Sequence, residues 1–211
     1  MDTILPNLHA TPPRELSFAR TLAMRAYLLR RAAGNLLIYS APTAADEATA
    51  IARLGGVSRQ YLGHWHEASV GKVGAVTAAT GAPAYAHERD AARAELEPFP
   101  EGPVGDDFEV IPIPGHTPGA TAFLWDSGEH RVLFTGDSIM LRDGEWIGAL
   151  LDSSDRDAYV ESLERLRELD FDVLVPWATS VDRPAHALTG REDARRRIGA
   201  IVERIRAGAD H

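Results

Sequence analysis

The sequence predicts a mixed α/β protein in which sheets built partly from hairpins are covered by helices. Three observations carry this: two hairpin signals, two amphipathic helical stripes, and short apolar runs ended by glycine or proline. Residues 25–31 and 35–40 read as strands around the turn Ala33-Gly34-Asn35. Thr43 is placed to cap a helix over 44–54, which Gly55 and Gly56 stop. Residues 59–64 read as a short strand, followed by a loop carrying His66. A helix of small residues over 71–80 ends at Gly81, and 83–86 resumes an extended path. Residues 108–113 form a strand ended by Pro114, and 120–125 and 131–135 flank the turn Asp126-Ser127-Gly128-Glu129. Over 155–169, Tyr159, Val160, Leu163, Leu166 and Leu169 share one helical face. Residues 173–175 are a short buried strand. Thr189 and Glu192 have capping-box spacing before a last helix with Ile198, Ile201, Val202 and Ile205 on its apolar side.

A chain of 211 residues fits a single domain over 1–211 and can bury a sizeable core. Its 31 acids against 22 bases give a net charge of −9. That balance argues against nucleic acid as a partner, because such affinity rests on Lys and Arg neutralising phosphates. The Arg-rich stretch 195–206 reads as the solvated face of the last helix, with Glu192, Asp193 and Glu203 interspersed. No run of about 18 apolar residues exists to span a membrane. The first residues lack the basic and apolar regions of a secretory signal, so a cytoplasmic location is expected. With no cysteine, a disulfide framework, a thiol nucleophile and a Cys-based metal site are all excluded.

Among eight histidines, three stand in suggestive places. His64 and His66 flank Trp65; in extended backbone, residues two apart share a face, so both rings converge. His116 lies in Pro114-Gly115-His116-Thr117-Pro118-Gly119, a tight turn that exposes the ring. Asp137 follows a strand in Thr135-Gly136-Asp137-Ser138. Each feature alone is compatible with an ordinary turn or a packed core residue. Together, each at a strand-to-loop junction, they carry more weight: three imidazoles with a carboxylate or water make a tetrahedral zinc shell with an open position.

This set resembles the metallo-β-lactamase superfamily. Its members carry a His-x-His-x-Asp-His loop, a Pro-Gly-His-Thr-Pro-Gly-like turn, a Gly-Asp and a final Pro-Gly-His-Gly-like turn. The resemblance runs from the hairpin near Arg25 to Pro176, and is most specific over residues 113–119 and 135–138. It implies a four-layer αββα sandwich with the metal site at one edge, between the two sheets. The departures cluster. Where the family loop has Asp and His, this chain has Ala68 and Ser69; Ala178 stands near the late histidine, and Tyr39-Ser40 near an early structural Asp. All fall on the second metal, which leaves His64, His66, His116 and Asp137 for one ion: zinc, with iron or manganese open. Such an ion can bring the pKa of bound water to about 7, with Asp137 as fourth ligand or as the group that orients the water. Glu67 borders the gap but, in an extended segment, points away from the face of the two histidines. Trp65 and Trp177 either line a pocket or pack in the core. His186 either swings into the vacated second site or sits on a surface loop.

Two functions follow from the resemblance. One is a mononuclear metallo-hydrolase cleaving an ester, thioester or lactone-type carbonyl in a small molecule. The other is a non-catalytic descendant serving as a binding or interaction module. The glyoxalase II group carries an extra C-terminal helical domain, and only one helix is expected here after Pro176. The secreted antibiotic-degrading members need a signal peptide. Nuclease members usually use two metals and a basic path. Di-iron redox chemistry fits poorly with half the ligands replaced. A homodimer is the commonest assembly for such a chain.

Overall fold

The computed structural model describes residues 1–100 and 104–211. The chain opens with strands β1 (Asp2–Leu5), β2 (Leu8–Ala10), β3 (Arg14–Leu16), β4 (Ala19–Met24), β5 (Tyr27–Leu29) and β6 (Leu36–Ile38). Helices α1 (Pro42–Asp46) and α2 (Ala48–Arg53) precede β7 (Arg59–Tyr61). Then come α3 (His66–Val70), α4 (Val73–Thr80), β8 (Ala84–Ala86), α5 (Glu88–Ala94) and β9 (Glu97–Pro98). The second half runs β10 (Phe108–Pro112), β11 (Thr121–Asp126), β12 (Arg131–Gly136), β13 (Met140–Arg142) and β14 (Glu145–Ile147). It ends with α6 (Arg156–Glu168), β15 (Val173–Pro176), β16 (Ala178–Ser180), β17 (Ala187–Leu188) and α7 (Arg191–Arg206).

Three sheets result: β1-β2-β5-β6-β7-β8-β9, β10-β11-β12-β15-β17, and a smaller β14-β13-β16-β4-β3. Strand alternation builds the layers. Phe123 and Trp125 of β11, Val132 and Phe134 of β12, and Val173 and Val175 of β15 face inward, against Tyr27, Tyr39 and Ile38 of the first sheet. The intervening Ala122, Leu124, Leu133 and Leu174 face outward, beneath Tyr159, Leu163 and Leu166 of α6 and Ile198, Ile201, Val202 and Ile205 of α7. On the far side of the first sheet, α4 and α5 pack Val73 and Ala91 over Leu62, Ala84 and Ala86. The architecture is the four-layer αββα sandwich. No helix among the described residues is long and apolar enough to cross a membrane.

Three local expectations change. The helix expected over 44–54 is two helices broken at Glu47, whose carboxylate pairs with the Met1 amine. Thr43 caps neither; its hydroxyl donates to the Pro12 carbonyl at 2.9 Å. The capping box at Thr189 does not form: Gly190 is the N-cap, and the Thr189 hydroxyl donates to Asp193 Oδ2 at 3.1 Å. His66 does not lie in a loop after a strand; it begins α3, with Trp65 already in helical backbone at φ −66° and ψ −25°.

Candidate metal centre

The ends of β7, β10 and β12 deliver the candidate groups to one edge of the sandwich, between the two main sheets. His64 follows β7, His66 opens α3, His116 sits in the turn between β10 and β11, and Asp137 follows β12. One ligand atom from each histidine lies within 4.8 Å of the others. Their ring centroids are 5.0–5.3 Å apart. Asp137 Oδ2 is 3.3 Å from His64 Nε2 and 3.8 Å from His116 Nε2. His64 and His116 are buried, while His66 is half-buried. The reason the first two rings converge differs from the sequence argument. An extended pleat does not align them; the chain bends at Trp65 into a helix, and the bend swings His66 back toward His64.

The donor set suits a cation. Both ring nitrogens of His64, His116 Nε2 and Asp137 Oδ1 are buried without a hydrogen-bond partner among the described residues, His64 Nδ1 meeting Glu67 only at ion-pair distance. Such orphaned groups cost about 1–3 kcal/mol each unless something satisfies them. Each buried ring is oriented from behind. His116 Nδ1 donates to the Ala149 carbonyl at 2.6 Å, and Glu67 Oε1 lies 3.1 Å from His64 Nδ1. Outer partners of this kind fix the tautomer and turn the free Nε2 toward a metal.

Glu67 is fully buried, with Oε1 accepting from the Gly63 amide at 2.9 Å and Oε2 from the Ser40 amide at 3.2 Å. It therefore faces away from the open side of the site, as the sequence suggested, but as a brace behind His64. Those contacts leave it no path to a reacting water.

The electrostatics follow from this packing. Burial works against a charge on His64, yet Asp137 and then Glu67 beside it raise its pKa to about 10. Burial, with His64 and His116 next, lowers His66 to about 3. Burial and then His64 also lower His116. For Asp137, burial opposes ionisation, but His64, His116 and His66 together hold the carboxyl below its usual range. Burial raises Glu67. The cluster therefore accommodates positive charge between two carboxylates while keeping two imidazoles neutral, the form in which histidine ligates.

Three further residues hold the site together, and sequence reasoning missed them. Tyr39, with left-handed backbone at φ 65°, donates its hydroxyl proton to the Val175 carbonyl at 2.9 Å. The same oxygen accepts from the Gly136 amide at 2.8 Å, fixing the turn before Asp137. From α6, the Tyr159 hydroxyl donates to the Ser138 carbonyl at 2.5 Å and accepts from the Ala149 amide at 2.9 Å. Asp90 of α5 is buried and links the two histidine loops: it accepts from the Trp65 amide (3.1 Å), the Thr117 hydroxyl (2.6 Å) and the Gly119 amide (2.9 Å). Gly119 is needed there, since a Cβ would come within 2.7 Å of Asp90 Cγ. Asp90 stands 26 positions after His64 and 26 before His116, in a helix of ordinary composition, so no local signal marks it. An Asp90→Asn change keeps only one of two acceptor oxygens. It is expected to cost about 1–3 kcal/mol of stability and to weaken metal retention by about 10–100-fold. Denaturant midpoints and metal competition with a chelator read the two effects.

The other candidates separate. Trp177 is buried; its indole N–H donates to the Ser40 carbonyl at 2.8 Å, and its ring meets His64 edge-on at 5.4 Å. Trp65 is half-buried beside His66, at 3.8 Å between ring centroids. Ala68 and Ser69 lie on α3, and Ala178 is buried opposite Met24 of β4. His186 precedes the edge strand β17 and stays outside the cluster of three; burial and then His130 lower its pKa.

A model of the metallo-beta-lactamase superfamily matches residues 62–178, more than half of the chain and the stretch that holds all four candidate groups. A hydroxyacylglutathione hydrolase of Bdellovibrio bacteriovorus is 33% identical over 122 residues, which cover 54% of this chain and 45% of that relative. The chain thus spans somewhat less than half the length of the curated relative. A metallo-β-lactamase from Erythrobacter litoralis has the same fold, with a TM-score of 0.71 and 15% identity over 96% of this chain and 95% of that one. A protein solved in a di-iron-bound form is 26% identical, with a TM-score of 0.64, over 88% of this chain and 97% of its own.

Proposed function

Because the chain belongs to the metallo-beta-lactamase superfamily, we propose that it is a metal-dependent hydrolase working with one ion held by His64, His66 and His116, Asp137 standing beside it. The observation that carries this reading is the convergence of three imidazoles and a carboxylate whose inward atoms lack other partners. Three histidines with a carboxylate suit zinc, and the di-iron-bound neighbour keeps iron as the alternative. Bound there, the ion would supply a Lewis acid and an activated water.

The chain's own residues divide the rest of the work. Glu67 and the Ala149 carbonyl hold the His64 and His116 rings in the ligating tautomer. Asp137 is the proposed catalytic group: its unpartnered Oδ1 would orient the attacking water. Tyr39 keeps that carboxylate in place through Gly136. His66 is the half-buried member of the cluster, so the reacting carbonyl approaches from its side.

The substrate class is a small-molecule ester, thioester or lactone. The name of the relative in Bdellovibrio, a hydrolase of hydroxyacylglutathione, favours the thioester. That similarity covers 54% of this chain and 45% of the relative, and leaves the thiol half of the substrate open. A second reading, a non-catalytic binding module, is favoured by the alanines and serine at 68, 69 and 178, where the family carries ligands for another ion.

Metal analysis of protein purified without added metal, paired with a panel of esters and thioesters, separates the two. The hydrolase reading expects about one transition-metal ion per chain and turnover that a chelator abolishes. Metal-free protein in every preparation, or turnover indifferent to the chelator, would overturn it.

A further inference from the structure

Beside the metal centre runs a groove of about 690 Å³ between α3, α4 and α5, within the size range of small-molecule sites. One wall begins at Trp65, adjacent to His66, and continues through Ala68. Val73, Thr77 and Leu96 make the rest of a mostly apolar lining. Ala68 and Ser69, which stand where the family loop carries Asp and His, are thus small residues opening onto a cavity. At the Trp65 end, the Arg93 guanidinium stacks 3.7 Å from the indole centroid. Arg93 is exposed and has no carboxylate within ion-pair distance among the described residues, although the chain carries a charge of −9. The acid of the lining, Glu95, sits past the end of α5 and does not pair with Arg93.

Building on the hydrolase reading, we infer that this groove receives the non-reacting arm of the acyl substrate and that Arg93 binds a carboxylate at the end of that arm. Two features support it. The apolar wall from Ala68 to Leu96 suits methylene groups, which gain by leaving water. A planar guanidinium already ordered by stacking binds a carboxylate in two-point fashion at little entropic cost. The row His66–Trp65–Arg93 sets the distance between reacting carbonyl and carboxylate at a few methylene groups.

The test compares two p-nitrophenyl esters of similar acyl length, the neutral butyrate and the carboxylate-ended glutarate, by their kcat/KM ratio in metal-loaded protein. The glutarate ester is expected to be preferred about tenfold, and Arg93→Gln to abolish that preference. Gly74→Phe fills the groove without disturbing the helix, since a Cβ at Gly74 meets nothing within 4 Å. It is expected to lower kcat/KM for both esters. A ratio unchanged by Arg93→Gln overturns the inference. If neither ester is turned over, binding of free glutarate and butyrate to metal-free protein decides the groove alone, and the hydrolase reading is left to the metal analysis and the thioester panel. In saturation-transfer NMR, a stronger glutarate signal that Arg93→Gln removes supports it, and equal signals overturn it.

Discussion

His116→Ala is expected to empty the metal centre. Structural zinc sites bind with about 10–16 kcal/mol, so one of four ligands carries about 3 kcal/mol, or about a hundredfold in affinity. The loss here should be larger than that share. The His116 ring is buried between His64 and His66, and its Nδ1 is tied to the Ala149 carbonyl, so removal also frees the loop behind it. Ester or thioester turnover should fall by on the order of 10³-fold or more, as when a residue acting in a catalytic unit is deleted. A second readout is independent of turnover. Metal binding stabilises the native state by about 4 kcal/mol at a thousandfold excess over Kd, so a chelator should lower the wild-type melting temperature. The variant should melt at the same temperature with or without chelator. Stoichiometric metal in His116→Ala would remove this residue from the site.

Gly115→Ala should produce the largest loss of stability. Gly115 has φ 143°, in the region that L side chains rarely adopt, and a Cβ there would lie 2.3 Å from Tyr159 Cα and 2.6 Å from Tyr159 N. Both are backbone atoms of α6, so no rotamer change relieves the clash. The helix must withdraw, and with it go the bond from the Asp155 amide to the Gly115 carbonyl (2.9 Å) and that from Ser162 Oγ to the Pro114 carbonyl (2.7 Å). Overpacking costs about 1–3 kcal/mol and the strained backbone a similar amount, so about 3–5 kcal/mol is expected. For a chain of this size that lowers Tm by roughly 10 °C. The same displacement moves Tyr159, whose hydroxyl joins Ser138 to Ala149, and therefore both His116 and Asp137. Metal retention should weaken along with stability. A change of less than about 1 kcal/mol would show that α6 is not held against this turn as described.

The elements visible in the sequence were those whose signals are local. The hairpin around Gly34 pairs Tyr27 with Ile38 and Leu29 with Leu36, as its turn residues require. The long helices show their buried stripes, Tyr159, Leu163 and Leu166 in α6 and Ile198, Ile201, Val202 and Ile205 in α7. The strands of residues 2–24, the helix α5 and the hairpin of β13 and β14 gave no comparable signal. They are short, and the pairings that seat them in their sheet reach far along the chain: Met24 pairs with Ala178 and Leu141 with Thr179. A three-residue strand has too few positions to display a period, and its pairing is settled by what arrives beside it.

The same division runs through the metal centre. His64, His66, His116 and Asp137 could be singled out from sequence because ligands need particular chemistry, and glycine and proline mark the turns that present it. How they converge was decided elsewhere. The helical bend at Trp65, the Glu67 carboxylate buried behind His64, the Asp90 bridge between two loops and the Tyr39 hydroxyl under Gly136 all depend on partners 4 to 97 positions away. Composition and residue order determined the candidate donors, the absence of thiol chemistry and the small residues at 68, 69 and 178. Only the packed sandwich decided their orientation. A hydrogen bond between distant segments exists once the two sheets close on each other, and nothing in the local sequence encodes that distance.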